Sequence, residues 1–389
     1  MSGDSQDDLD ALGFEIARAK LLEGRSFEEL AADYPYSKAV IHRRFQKWQE
    51  VKRFELVDTW DTTTAARVDR LEDELAEELA RRTQIWRARV ARIVGAEPAY
   101  TNEYRGNPGT RAVQTAYSAS DALHAALGEV AAELLLNALS PHTVVGLASG
   151  RAVGFAVTRL EQLEKRSPAW FTGYKSLHIV SLCGGTRVGR WGTATGRDFD
   201  ADGNAYYLGE ILKVPLANRS YMHGWISQPS EPTPDIKFTL DLALVGLGLL
   251  NTQHHFFRHN PEVQLGAISR PLERIRKCQR ANGDLLDSVA EIGHRLFPVG
   301  RREALPDEVA TAIDQINREI RAVPVERIRG ARQTILIAGG AQKVNGLLKL
   351  VTGNCPEAPV NLRNLTLVTD AWTARELLSG VKKSRPRAR

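Results

Sequence analysis

The segment Thr143-Val-Val-Gly-Leu-Ala-Ser-Gly-Arg-Ala-Val-Gly154 combines the residue types that an anion-binding turn needs. Thr143 to Leu147 is a short apolar, β-branched run of the kind that forms a buried strand. Ala148-Ser149-Gly150 is a turn of small residues. Arg151 to Lys165 then carries Val153, Val157, Leu160 and Leu163 close to helical spacing. A strand that enters a helix through so small a turn aims backbone N–H groups at one spot, and the helix dipole adds to their pull on an anion. Ser149, Gly150 and Arg151 are therefore candidate anion-binding residues, although the same residues would also serve an ordinary strand-to-helix junction.

Further strands end in the same manner. Ser176 to Cys183 is closed by Gly184-Gly185, glycines that let a backbone approach a ligand closely, and Thr186 and Arg187 follow as donors. Leu240 to Gly248 reads as a buried strand running into a glycine turn. Gln333 to Ala338 ends at Gly339-Gly340 and precedes a helix from Gln342, which places Lys343 where it can meet a phosphate or a carbonyl. Leu365 to Thr369 is followed by Asp370 and a helix from Trp372. Asp284 and Asp370 can accept hydrogen bonds from the hydroxyls of a polyol, while Asp370 equally suits the cap of the last helix. His254 and His255 are adjacent, so their side chains diverge, and neither a metal site nor a cofactor is expected.

Strands that alternate with helices predict a mostly parallel sheet covered on both faces, an α/β architecture of the Rossmann-like kind. Such sheets bind ligands beyond the carboxyl ends of their strands, where all these turns would lie. The helices supporting them include a long pattern from Ser120 to Leu139 and another from Asn204 to Leu212. Arg87 to Val94 alternates as an exposed or edge strand does. Arg67 to Arg82 is charged and carries Val68, Leu71, Leu75 and Leu79 near heptad spacing, which suits pairing with a second copy or packing within its own domain.

The N-terminal region has a different character. Phe14 to Glu23 reads as a first helix stopped by Gly24, and Ser26-Phe-Glu-Glu29 has the spacing of a capping box at the start of a second. Asp33-Tyr-Pro-Tyr-Ser37 is a turn, and Ser37 caps a third helix from Lys38 to Trp48. Three short helices with a basic third suggest a helix-turn-helix, although a small bundle with a solvated basic face fits the same pattern. Ser37, Lys38, His42 and Arg43 would face a duplex, with Arg44 and Lys47 meeting phosphates. Between Lys38 and Arg53 there are six Lys or Arg against one Glu, which concentrates positive charge at this end of a chain whose net charge is only +5.

At 389 residues the chain is long enough for two or three domains. The expected division is a helix-turn-helix domain over 1–58, a connecting helix, strand and loop over 59–115, and an effector domain over 116–389. Three scattered cysteines indicate neither a disulfide framework nor a zinc site. The polar, acidic start is unlike a signal peptide, and no apolar run is long enough to span a bilayer, so a cytoplasmic protein without a membrane partner is expected.

Taken in order, the motifs resemble those of SorC/DeoR-type sugar-binding transcriptional regulators. Val145-Gly-Leu-Ala-Ser-Gly-Arg-Ala-Val153 is similar to the family's Val-Gly-x-Gly-x-Gly-x-Thr loop, and Ser181-Leu-Cys-Gly-Gly185 to its double-glycine loop. Asp241 to Gly248 resembles Asp-x-x-x-x-Gly-Ile-Gly, and Asn282-Gly-Asp-Leu-Leu-Asp287 the Gly-Asp segment. Ile337 to Lys343 resembles Ala-Gly-Gly-x-x-Lys, and Leu367 to Ala374 resembles Thr-Asp-Glu-x-Thr-Ala. Two positions depart from the pattern: Ala152 stands where the family has threonine, and Ala371 where it has glutamate.

The resemblance implies an effector fold related to sugar-phosphate isomerases, assembly as a homodimer or homotetramer, and binding to an operator in double-stranded DNA that responds to a sugar, sugar phosphate or related polyol. It implies a regulator rather than an enzyme. The alternative reading is a sugar-phosphate isomerase-like enzyme, with Asp284 as base and Lys343 as electrophilic partner.

Overall fold

The structure, a computed structural model, describes residues 26–33, 37–43, 62–82, 85, 87–91, 110–184, 200–223, 239–250, 267–282, 285, 288–353 and 355–383. The expected first helix, the Pro35 turn and the C-terminal tail beyond Lys383 lie outside these residues. The chain divides into two compact units, Met1–Asp69 with Arg92–Ala126, and Arg70–Ala91 with Leu127–Arg389. Among the described residues, no helix is long and apolar enough to cross a membrane.

In the first unit, α1 (Phe27–Asp33) starts on the predicted capping box. The Ser26 Oγ accepts from the Glu29 N–H at 3.1 Å, and the Glu29 carboxylate accepts from the Ser26 N–H at 2.6 Å. This reciprocal pair satisfies two amides that a helix start would otherwise leave to water. A second helical segment, α2, covers 38–43. Leu30 and Ile41 are fully buried, while Ser37, His42 and Arg43 are exposed. Lys38 forms an ion pair with Glu28, and His42 stacks edge-on against Phe27 with ring centres 4.9 Å apart.

The second unit is built on a seven-stranded parallel sheet in the order β1-β10-β9-β5-β2-β3-β4. Its strands are β1 (Arg87–Ala91), β2 (Val144–Leu147), β3 (His178–Ser181), β4 (Arg219–Ser220), β5 (Leu242–Gly246), β9 (Gln333–Ile337) and β10 (Leu365–Asp370). The near-continuous apolar runs follow from burial on both faces: β2 and β10 have no exposed residue. The segment expected to alternate from Arg87 is an edge strand, pairing with β10 on one side.

The helices of this unit are the second half of α3 (Thr62–Arg82), the C-terminal part of α4 (Thr110–Ala138), α5 (Arg151–Arg166), α6 (Ala201–Ile211), α7 (Ser269–Ala281), α8 (Asp307–Glu319), α9 (Val325–Arg329), α10 (Val344–Val351) and α11 (Ala371–Lys383). Helix α4 begins ten residues before the expected Ser120. Helix α6 begins at Ala201 because the Asp200 carboxylate caps it, accepting from the Gly203 N–H at 2.6 Å. Gly128 allows α4 to lie directly on α5, since a Cβ there would stand 2.7 Å from the Phe155 Cβ.

One element departs from the expected pattern. The single strand expected from Leu240 to Gly248 ends at Gly246, and Gly248 starts β6 (Gly248–Leu249), the first strand of a small antiparallel sheet with β7 (Val289–Ile292) and β8 (Arg295–Pro298). The β7–β8 connection is the two-residue turn Gly293-His294, with φ of 58° and 63°. Positive φ at both positions is what a type I′ hairpin turn requires.

Candidate functional site

The chain path creates a crevice at the carboxyl end of the sheet. From β2 it moves outward through β3 to β4, then returns to the other side of β2 at β5 and continues to β9 and β10. The connections leaving β2 and β5 therefore part in opposite directions, and that switch point is where open α/β sheets hold ligands.

The turn after β2 is the core of the site. Gly150 takes φ 126° and ψ 149°, a conformation essentially reserved for glycine, and a Cβ there would meet nothing within 4 Å. Helix α5 starts at Arg151 with no side-chain cap and no acidic residue in its first turn. Its positive end thus carries uncapped backbone N–H groups beside Ser149, Gly150 and Arg151, a disposition that favours an anion. Ala148 fixes the approach, its carbonyl accepting from the buried Asn204 Nδ2 at 3.0 Å.

Ser149 is held from two sides. Its Oγ lies 2.6 Å from the His294 Nε2, and just before it the Leu147 carbonyl accepts from the Leu182 N–H at 2.9 Å. His294 is fully buried. Burial, assisted by the adjacent Arg295 charge, pulls its imidazole down to about 3, so the ring is neutral at physiological pH. The Glu291 carboxylate accepts the His294 backbone N–H and is itself raised to about 7 by burial, against the opposing pull of that N–H and of Lys343. Cys183 is pushed far above the ordinary thiol range by burial and by Glu291, which makes it inert.

Lys343 lies in the short 3-10 turn Ala341–Lys343 after Gly340. The residue keeps part of its surface exposed, but desolvation of its ammonium pulls it down to about 8; Glu291 opposes that shift and Arg151 adds to it. Glu291 and Arg151 are thus both close enough to act on the Lys343 ammonium. Glu291, His294 and Lys343, all shifted by burial, mark a candidate site where they meet the turn after β2.

Asp370 is different. It is 5% exposed, and its carboxylate accepts from the Thr373 N–H at 2.9 Å, the Gly340 N–H at 2.8 Å and the Thr373 hydroxyl at 2.7 Å. The helix-cap alternative is the one the geometry favours. Asp241 lies at the opposite end of β5, where it accepts the Val144 N–H at 2.9 Å and sets the start of β2.

Of the residues predicted for the effector site, Ser149, Gly150, Arg151, Gly184 and Lys343 lie on the turns at this edge of the sheet. The Gly184 N–H is bonded to the Arg321 carbonyl. Gly185, Thr186, Arg187 and Asp284 lie outside the described residues, as do Arg44 and Lys47. His294 and Glu291 were not predicted. The signal for them is the glycine of Gly293-His294 set between two short runs, Val289 to Ile292 and Arg295 to Pro298. Among the described residues no cluster of histidine, cysteine and acidic side chains could hold a metal ion.

In sequence, no family model and no curated protein matches the chain. In structure it is similar to transcriptional regulators of SorC/DeoR type. One is a domain, named as sugar-binding, of a transcriptional repressor from Vibrio fischeri, with TM-score 0.50 and 15% identity over 81% of this chain and 99% of that one. Another is the full-length sorbitol operon regulator SorC from Klebsiella pneumoniae (TM-score 0.48, 18% identity, 96% of this chain and 100% of that one). A third is a DeoR family transcriptional regulator from Listeria monocytogenes (TM-score 0.47, 17% identity, 80% and 99%). The second unit of the chain, with its seven-stranded parallel sheet, has the fold of the Vibrio fischeri domain.

Proposed function

We propose that the chain is a ligand-responsive, DNA-binding transcriptional regulator whose effector is a sugar, sugar phosphate or related polyol. The observation that carries this reading is the uncapped start of α5, with Arg151 and the desolvated Lys343 ammonium, at the switch point between β2 and β5. Arg151 and Lys343 supply positive charge for an acidic group, and an arginine fork suits phosphate. Ser149 supplies a hydroxyl for a neutral one. An effector that binds a DNA-competent state and an incompetent state unequally moves the population between them.

On the DNA side, exposed His42 and Arg43 are the strongest candidates on α2, with Ser37 at its start. Lys38 is partly occupied by Glu28, so Arg43 takes the larger share of any base contact. Assembly as a homodimer or homotetramer and a cytoplasmic setting belong to the same proposal. The isomerase reading, with Asp284 as base and Lys343 as electrophilic partner, is weaker because the exposed His42–Arg43 face has no role in it.

Thermal-shift screening against free and phosphorylated sugars, followed by DNA mobility shifts with the winning compound, tests the proposal. A true ligand raises the melting temperature by mass action. Arg43→Ala should weaken DNA binding and flatten its salt dependence without changing the ligand shift, and Arg151→Ala should do the reverse. A panel that produces no shift, or an Arg43→Ala protein that binds DNA with unchanged salt dependence, would contradict the reading.

A further inference from the structure

His294 is an expensive residue to place. It is fully buried, it occupies a positive-φ position that side chains other than asparagine, aspartate and histidine rarely adopt, and its backbone N–H is claimed by a buried carboxylate. Its imidazole ends 2.6 Å from a hydroxyl on the turn that starts α5. The next residue anchors the hairpin on the opposite side. The Arg295 guanidinium donates to the carbonyls of Asn317, Ala322 and Val323, at and just beyond the C-terminal end of α8, and Asn317 exchanges two hydrogen bonds with the Leu296 backbone. Residues 321–323 are in turn bonded to the exit of β3: the Gly184 N–H to the Arg321 carbonyl at 2.9 Å, the Val323 N–H to the Leu182 carbonyl at 2.8 Å, and Cys183 bridging Ala322. The Leu182 N–H then donates to the Leu147 carbonyl at 2.9 Å, at the end of β2 and two residues before Ser149. The contacts form a closed ring: Ser149, His294, Arg295, residues 322–323, Leu182 and back through Leu147 to Ser149.

We propose that His294 is a positioning residue that clamps the Ser149 hydroxyl, closes this ring and holds the β2–α5 turn in its ligand-receiving shape. Its imidazole stands behind Ser149 and acts through it. A turn containing Gly150 has no side chain of its own to limit its backbone, so an outside support is needed to keep the start of α5 aimed. Arg295 makes the support rigid, because its fork ties the hairpin to the α8 end.

The inference deepens the proposed effector site and rests on that reading for the purpose of the turn. The test needs no ligand. Amide hydrogen exchange is measured on the full chain for wild type, Ser149→Ala, His294→Gln, His294→Ala and the Ser149→Ala/His294→Ala pair, because local opening is read as faster exchange of particular amides. Ser149→Ala and His294→Ala should each speed exchange at residues 149–153 by about tenfold or more while β9 and β10 stay at their wild-type rates; one clamp lost from either side is the same loss. The double variant should be no faster than either single one, and His294→Gln, which keeps a hydrogen-bonding side chain, should recover most of the protection. If His294→Ala does not fold, Ser149→Ala and His294→Gln still decide. Wild-type exchange at 149–153 in Ser149→Ala, or a rise spread equally over β9 and β10, would overturn the clamp. An unresponsive sugar panel would overturn the effector reading and leave the exchange result standing.

Discussion

The turn after β2 and the turn after β9 sit at the same edge of the sheet and are built from similar parts. Each has a glycine with positive φ, Gly150 at 126° and Gly340 at 98°, and each leads into helical structure. After β9, the Gly340 N–H is taken by both Asp370 and Thr373, and the same aspartate caps α11. That corner takes up its leading amide with its own side chains. After β2 there is no side-chain cap, the first turn of α5 has no acid, and the supporting contacts reach Ser149 from behind. The Gly340 end of the β9 corner serves stability and leaves Lys343 as its contribution to the site, whereas a corner left without a cap but braced from outside is suited to receive something. Glycine-ended strands alone do not distinguish the two; the partners of the turn do.

That contrast can be broken by substitution. Asp370→Ala removes three hydrogen bonds from buried donors and should cost about 3 kcal/mol in denaturant unfolding. Ser149→Ala should cost about 1 kcal/mol, since it removes one hydroxyl. Equal losses would erase the distinction between the corners. Gly150→Ala comes next, at about 2 kcal/mol, all of it backbone strain because the added Cβ meets nothing.

The braced corner also has a pH signature. His294 is held at about 3 in the folded chain, so between about 3 and its ordinary 6.5 the unfolded chain binds a proton that the folded chain refuses. Stability from this residue is therefore complete above pH 6.5 and falls as pH drops through that window. Glu291 runs the other way: raised to about 7 from 4.5, it keeps its proton in the folded chain, and its contribution declines as pH rises through 4.5 to 7. His294→Gln removes the first effect only. Its urea midpoint should fall less than wild type between pH 6.5 and 4.5, and parallel profiles would show that the imidazole is not held neutral. The smallest effect is expected at the other unit, where Ser26→Ala should weaken α1 by about 1 kcal/mol or less and leave ligand binding untouched.

Much of the sheet was legible from residue patterns. Val144 to Leu147, Thr334 to Ile337 and Leu365 to Thr369 are apolar or β-branched runs because both faces of a parallel sheet are covered, and each is closed by a turn residue. Ser26 and Glu29 declared α1 through a local rule that needs no tertiary partner. The small antiparallel sheet was not legible, because four-residue strands carrying Glu291 and Arg295 do not alternate convincingly. The role of His294 depends on a contact 145 residues away in sequence. Asp370 was ambiguous for a related reason: acceptance from Thr373 is local, but acceptance from Gly340 is fixed by the pairing of β9 with β10.

The central claim is that the braced, uncapped corner receives the effector. The most direct measurement is amide hydrogen exchange on the full chain with and without the sugar or sugar phosphate that raises its melting temperature. Slowed exchange is expected at residues 149–153 and 340–343, with Arg151→Ala abolishing the protection. Protection confined to another part of the molecule, with residues 149–153 unchanged by a saturating ligand, would contradict it.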